Sequence, residues 1–172
     1  MKYLLFLLLF PTTIAFAGND KNEDKEPIFN FKNTVDVKYS SVKNQYITGT
    51  CWSYATVSFL EAEIIREKDE VIDLSEMFFV NHAYQLKADY YVRLHGNSVF
   101  SQGGQAHDVT HLIEKYGMVP QECYPGKTYD LPYHDHRELS AMLTGMVKAA
   151  LASKGNGLTD KWKESVQNVT NK

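Results

Sequence analysis

The chain has 172 residues, of which 44% are hydrophobic and 23% are charged, a composition typical of a folded protein and not of a disordered one. The formal net charge is −3 at pH 7. Because no basic stretch is dense enough to follow a phosphate backbone, we expect no nucleic-acid partner.

The strongly apolar segment 3–10 is too short to cross a bilayer, which requires about 20 apolar residues. Lys2 precedes it, and Ala15-Phe16-Ala17 fits an A-x-A cleavage pattern. We therefore predict that residues 1–17 are a signal peptide. The mature protein is expected to be exported to the periplasm or the extracellular space, with no membrane association after cleavage.

Residues 18–41 form the next predicted region, a leader followed by an extended arm. The stretch 18–27 is polar and rich in charge, which is typical of a solvated segment. Apolar and polar residues partly alternate over 29–42, and this pattern indicates an extended arm or an edge strand.

Beyond residue 42 the apolar residues recur at helical spacing. Five helices are predicted: from Cys51 to about Lys68, from after Asp73 to Gly96, from about Gln105 to Tyr116, over 139–151, and a weak one around Trp162 and Val166. Thr48 or Thr50 is expected to cap the first helix, and Asp73, with Glu76 three residues later, the second. Residues 42–172 are therefore predicted to form one predominantly helical region with little strand.

Cys51 lies in the first turn of the first predicted helix. Free backbone N–H groups and the positive end of the helix dipole stabilise a thiolate there, which makes this cysteine a candidate nucleophile. Its own N–H is placed to meet the oxyanion that forms on an attacked carbonyl, and the side-chain amide of Gln45 is a candidate second donor. Gly49 allows a turn tight enough for Gln45 and Cys51 to face one pocket.

Residues 42–55, VKNQYITGTCWSYA, resemble the nucleophile segment of papain-like cysteine peptidases, with a Cys-Trp pair that begins six residues after a glutamine. Three further elements follow in the family's order: Asp73-Leu74-Ser75-Glu76, Gly103-Gly104, and Tyr116-Gly117 with Tyr124-Pro125. Within the family, residues 73–79 and 103–120 are most similar to the bleomycin hydrolase and aminopeptidase C branch.

The resemblance implies an α+β, papain-like fold, of which this chain holds mainly the helical N-terminal half, with the β-rich half missing. It implies a cysteine-type peptidase that cleaves peptide bonds through a Cys51 thiolate and an acyl-enzyme, while Gln45 helps to hold the oxyanion. Peptides are then the substrates, bound along Gly103, Gly104 and Trp52. A homo-oligomer of the full-length form is also compatible with this branch.

Two positions depart from the secreted plant and lysosomal members of the family. Those members usually carry a cysteine three residues before the nucleophile, disulfide-bonded to one that lies two residues before the glycine pair. Thr48 and Ser101 stand at these positions here. The two changes agree with each other and with the bleomycin hydrolase branch. Members of that branch are mostly cytosolic, whereas this chain has a predicted signal peptide. We therefore expect an exported bacterial relative of the branch.

The family's catalytic histidine and asparagine are expected beyond this chain. In the papain pattern they lie about 130 to 150 residues after the cysteine, which corresponds to residues about 181 to 201 here. The chain ends at Lys172, 121 residues after Cys51 (172 − 51). We therefore expect little or no peptidase activity from this chain alone. The alternatives are a non-catalytic peptide-binding or inhibitory module, or one chain of a split peptidase.

Other interpretations of the same residues stay open at this point. Cys51 is also compatible with a small buried apolar residue, or with a disulfide to Cys123 in an exported protein. His107 and His111 lie one helical turn apart, as in a metal site, but the spacing identifies no third ligand. We therefore expect no metal and no cofactor.

Overall fold

The computed structural model describes residues 29, 31–127, 131–153 and 157–171. The predicted signal peptide, 1–17, lies outside these residues. The chain divides into two units, 1–35 and 36–172. In the first unit the rings of Phe29 and Phe31 lie 6.0 Å apart. All the helices and the candidate site belong to the second unit.

The second unit is built from helices. They are α1 (Cys51–Lys68), α2 (Glu76–Arg93), α3 (Ala106–Tyr116), α4 (Arg137–Ala152) and α5 (Lys161–Thr170). The central element is α2, which packs against each of the other four, while α1 also contacts α3 and α4 contacts α5. The prediction of a mainly helical fold is confirmed. None of the described helices is both long enough and apolar enough to cross a membrane.

The predicted cap of α2 is wrong. The N-cap is Ser75, whose hydroxyl accepts a hydrogen bond from the backbone N–H of Phe78 at 3.0 Å. Asp73, the predicted cap, instead places its carboxylate 2.6 Å from Lys43 Nζ. A serine directly before the first helical residue reaches the third N–H of the helix, whereas a residue two positions earlier is too far from it.

The arm forms no β-strand, and none occurs elsewhere in the described ranges. In the second unit its apolar side chains Val37 and Tyr39 remain exposed. Two isolated bridges are present: Ile47 pairs in parallel with Asp135, and Leu74 pairs in antiparallel fashion with Pro120. The alternation of apolar and polar residues in the arm therefore occurs in an irregular, exposed segment and not in an edge strand.

The hydrophobic core lies where α2 meets its neighbours. The apolar side chains with no exposed surface are Val57 from α1, Phe79 and Ala88 from α2, Val109 from α3, and Leu143 and Val147 from α4. Each side chain of valine size or larger contributes about 1.5–3 kcal/mol by leaving water. On α4 the predicted apolar stripe is buried along its centre, whereas Met142 at its edge is 48% exposed.

A partly buried ionic cluster ties the segment before α1 to α1 and α2. Lys43 Nζ lies 2.9 Å from Glu61, 2.6 Å from Asp73 and 2.7 Å from Glu76. Glu61 is 1% exposed and Glu76 is 3% exposed. Burial by itself lowers the pKa of Lys43, but the hydrogen bonds to the three carboxylates outweigh it and hold this pKa well above its usual value. The cluster therefore fixes the segment that leads into the candidate site.

Candidate active site

Cys51 is the first residue of α1, and its side chain is exposed. Thr50 takes the predicted N-cap position, but its side chain makes no capping hydrogen bond and lies instead 2.5 Å from the Thr48 hydroxyl. The first turn of α1 contains no acidic residue. The positive end of the helix dipole therefore faces the thiol without a competing carboxylate.

Gln45 lies in a turn that leads into α1. Its Nε2 donates to the carbonyl oxygen of Thr48 at 2.6 Å, and the Thr48 hydroxyl donates to the carbonyl oxygen of Gln45 at 2.8 Å. An amide nitrogen carries two hydrogens, so one is left for a further acceptor. The left-handed residue here is Tyr46, with a φ of 54°, and not Gly49. Gly49 is needed for space, since a Cβ there would lie 2.9 Å from Cβ of Gln102.

A segment from much later in the chain anchors this turn. The backbone N–H of Ile47 donates to the carbonyl oxygen of His134 at 3.1 Å, and the N–H of His136 donates to the carbonyl oxygen of Ile47 at 3.1 Å. The rings of Tyr46 and Tyr133 lie 6.0 Å apart. Both histidines are buried. The placement of Gln45 therefore depends on backbone hydrogen bonds to the residues just before α4.

The predicted substrate-binding glycines lie against the Cys51 helix through Trp52. Trp52 is only 7% exposed, and its indole N–H donates to the carbonyl oxygen of Gln102 at 3.0 Å. A Cβ on Gly104 would lie 2.6 Å from an indole carbon of Trp52. A Cβ on Gly103 would meet only the Ser101 hydroxyl, at 3.8 Å. Gly104 is therefore needed for close packing against Trp52, whereas a side chain at Gly103 would have space.

Gly104→Ala is expected to lower the free energy of unfolding by about 1–3 kcal/mol, because the new methyl group overlaps the indole of Trp52. Neither glycine has a positive φ, so strain of the backbone does not contribute. Gly103→Ala is the matched control and should change the stability by no more than about 0.5 kcal/mol. Urea denaturation followed by tryptophan fluorescence measures both. Equal effects of the two substitutions would show that the packing against Trp52 is not what requires Gly104.

The alternative interpretations of Cys51 do not agree with the structure. Cys51 and Cys123 are both exposed and both free, so Cys51 is neither a buried apolar residue nor a disulfide partner of Cys123.

The two histidines considered as metal ligands, His107 and His111, lie on α3. Within the described ranges, no three histidine, cysteine, aspartate or glutamate side chains form a group able to hold a metal ion.

A cavity of about 690 Å³ lies between α2, α4, α5 and residues 123–127 and 131–136. Its size is typical of ligand cavities. Tyr84, His134 and His136 line it, whereas Cys51 and Gln45 do not. The other exposed cysteine, Cys123, does line it. We nevertheless place the candidate active site at the start of α1, because Cys51 is the cysteine that lies at a helix N-terminus.

Three side chains that hold the site in place could not be recognised from the sequence: Lys43, Lys87 and Gln102. Lys87 Nζ donates to the carbonyl oxygen of Gly103 and lies 5.3 Å from the centroid of the Trp52 ring. Single lysine and glutamine side chains are ordinary surface residues. Of the three, only Lys43 lies within a recognisable motif, two residues before Gln45. Lys87 and Gln102 contact residues that are distant in the chain, and such contacts leave no periodic pattern in the sequence.

Comparison with known proteins identifies similar cysteine peptidases. The profile of the Peptidase C1-like family matches residues 13–168. Aminopeptidase C of Lactobacillus delbrueckii subsp. lactis is 27% identical over 128 residues, which cover 64% of this chain and 28% of that protein. Cathepsin L2 of Homo sapiens is 27% identical over 106 residues, 59% of this chain and 29% of that protein. The viral cathepsin of Spodoptera exigua nuclear polyhedrosis virus (strain US) is 30% identical over 105 residues, 61% and 26% respectively.

The chain thus spans less than a third of the length of each of these relatives. The family profile covers most of the chain, and the relatives from both the cathepsin and the aminopeptidase C groups align with it. The chain belongs to the Peptidase C1-like family.

Proposed function

We propose that this chain is the helical part of an exported cysteine peptidase of the bleomycin hydrolase and aminopeptidase C type. In this proposal the Cys51 thiolate attacks the carbonyl carbon of a peptide bond, the amine leaves with a proton, and water then hydrolyses the acyl-enzyme. The backbone N–H of Cys51 and the free amide hydrogen of Gln45 hold the oxyanion. Peptide substrates lie along Gly103 and Gly104.

The observation that carries the proposal is the exposed thiol at the uncapped start of α1. A cysteine at this position combines an accessible sulfur with the positive end of a helix, which is what a nucleophile requires. The similarity to aminopeptidase C supports the choice of branch. Thr48 and Ser101, which replace the two cysteines of the secreted plant and lysosomal members, favour the same choice.

The general base and the residue that orients it are proposed to come from outside these 172 residues. His82 stacks on Tyr116, with ring centroids 4.0 Å apart, and burial lowers its pKa. Burial also lowers the pKa of His134 and His136, which lie beside Ile47. His134 and His136 are thus buried, and the ring of His82 is packed against Tyr116. The isolated chain is therefore proposed to hydrolyse peptides slowly or not at all.

Alkylation of the two cysteines in one sample tests the nucleophile. Iodoacetamide at pH 7 should modify Cys51 roughly fivefold faster than Cys123, because a helix N-terminus stabilises an anion by about 1 kcal/mol. Cys123 is the internal control, since it is also exposed and free but lies outside the helices. Mass spectrometry of the digested protein measures both rates.

Two results would contradict the proposal. Equal alkylation rates of Cys51 and Cys123 would mean that the start of α1 does not activate the thiol. Robust peptide hydrolysis by the isolated chain, lost in Cys51→Ala and kept in Cys123→Ala, would show that a base lies within these residues.

A further inference from the structure

Two segments that are far apart in sequence meet beside Cys51, namely the turn 45–49 and residues 101–104. Gln102 joins them. Its side-chain Oε1 accepts a hydrogen bond from the backbone N–H of Gly49 at 2.7 Å, and its backbone carbonyl accepts one from the indole N–H of Trp52 at 3.0 Å. Gly49 and Trp52 lie on either side of Cys51 in the chain. Gln102 therefore contacts the chain on both sides of the thiol, at the backbone of Gly49 and at the side chain of Trp52.

Lys87 from α2 holds the same segment in place. Its ammonium group donates to the carbonyl oxygens of Ser101, at 3.4 Å, and of Gly103. Together with the bond from Trp52, all three consecutive carbonyls of residues 101–103 thus accept hydrogen bonds from side chains of α1 and α2. Because its backbone is held at three points, the segment presents the Gln102 side chain to Gly49 at little further cost in conformational entropy.

The contact between Gly49 and Gln102 is close as well as polar. A Cβ on Gly49 would lie 2.9 Å from Cβ of Gln102, so only glycine permits this approach. No disulfide joins the turn 45–49 to residues 101–104, since neither Thr48 nor Ser101 carries a thiol and both cysteines are free. The Gln102 side chain is therefore a direct polar connection between the turn that carries Gln45 and the glycine segment.

We propose that Gln102 is a positioning residue for the Cys51 site. By holding Gly49, it keeps the N–H groups at the start of α1 and the amide of Gln45 directed at one point beside the thiol. The inference rests on the proposed role of Cys51 and deepens it. Gln102 acts through Gly49 and touches no reacting atom.

The test compares two variants of the 172-residue chain. Gln102→Leu keeps the bulk but removes the acceptor, whereas Gln102→Glu keeps an oxygen acceptor. Hydrogen exchange at the Gly49 amide, followed by NMR, should be about tenfold faster in Gln102→Leu and nearly unchanged in Gln102→Glu. The ratio of the Cys51 and Cys123 alkylation rates should fall roughly threefold in Gln102→Leu. Gln102→Glu also adds a negative charge near Cys51, so its alkylation ratio is measured in 1 M KCl, where the screening length is about 3 Å. Under these conditions the ratio should return to the wild-type value.

A steric variant and a control complete the test. Gly49→Ala pushes the two segments apart and should lower the alkylation ratio as Gln102→Leu does. Ser101→Ala, on the same segment, keeps all these bonds and should change neither measurement.

Unchanged exchange at Gly49 in Gln102→Leu would overturn the proposal. Faster exchange with an unchanged alkylation ratio would also overturn it, because the contact would then be structural only. Failure of the proposed function is recognised separately, as equal rates of Cys51 and Cys123 in the wild-type chain.

Discussion

Lys43→Met is expected to lower the free energy of unfolding by about 3–5 kcal/mol at pH 7. The substitution leaves the carboxylates of Glu61 and Glu76, which are 1% and 3% exposed, buried without their counter-charge. A domain is stable by only about 5–15 kcal/mol, so this loss is a large fraction of the total. Urea denaturation followed by circular dichroism measures it.

A surface ion pair provides the matched control. Lys38 lies 2.9 Å from Asp69, but the two side chains are 77% and 83% exposed. Lys38→Met should therefore cost no more than about 1 kcal/mol. The triple variant Lys43→Met/Glu61→Gln/Glu76→Gln should recover part of the loss, because it removes the unpaired buried charges. A cost of Lys43→Met no larger than that of Lys38→Met would show that the cluster does not hold the segment before α1.

The cost of Lys43→Met should also depend on pH. Burial raises the pKa of Glu76, and Lys43 acts in the opposite direction. Without the lysine, Glu76 takes up its proton at a higher pH in the folded chain than in the unfolded chain. The destabilisation is therefore expected to be small near pH 3, where the carboxyl is neutral in both states, and to grow as the pH rises through the two pKa values.

The helices could be predicted from the sequence because each buries one face, and burial of one face leaves a period in the sequence. The prediction of α1 as Cys51 to Lys68 matches its observed bounds, and the α3 prediction differs by one residue at its start. The cap of α2 could not be chosen by pattern alone, since Asp73 and Ser75 are both good capping residues. The structure starts the helix at Glu76, which leaves Ser75 as the cap, while Asp73 contacts Lys43, thirty positions away in the chain (73 − 43).

The candidate site could be predicted only as far as its residues are close in sequence. Gln45, Gly49 and Cys51 form one short motif, and Gly104 belongs to a recognisable pair. The contacts that place them join residues distant in the chain, such as Gly49 with Gln102 and Ile47 with His136. A single sequence holds no record of such pairs, because each partner is compatible with an ordinary surface or core position.

Acidification is expected to destabilise the chain through His136, by about 3 kcal/mol between pH 6.5 and 4. His136 is 8% exposed, and its Nδ1 has no hydrogen-bond partner among the residues that the structure describes. Burial lowers its pKa to about 4, with His134 adding to the effect and Asp135 opposing it. The unfolded chain takes up this proton below a pH of about 6.5, whereas the folded chain does so only near pH 4. Stability is therefore lost as the pH falls through this window.

His136→Phe removes the titrating group and keeps a ring, so the dependence of the unfolding free energy on pH should become flatter by the same amount. His107→Gln is the control, since its side chain is 77% exposed, and it should keep the wild-type dependence. A wild-type slope in His136→Phe would contradict the assignment. Because the backbone N–H of His136 donates to Ile47, the loss reaches the turn that carries Gln45. The protection factor of the Ile47 amide, corrected for the intrinsic exchange rate at each pH, is therefore expected to fall as the pH falls, and the start of α1 to be held least firmly where His136 becomes charged.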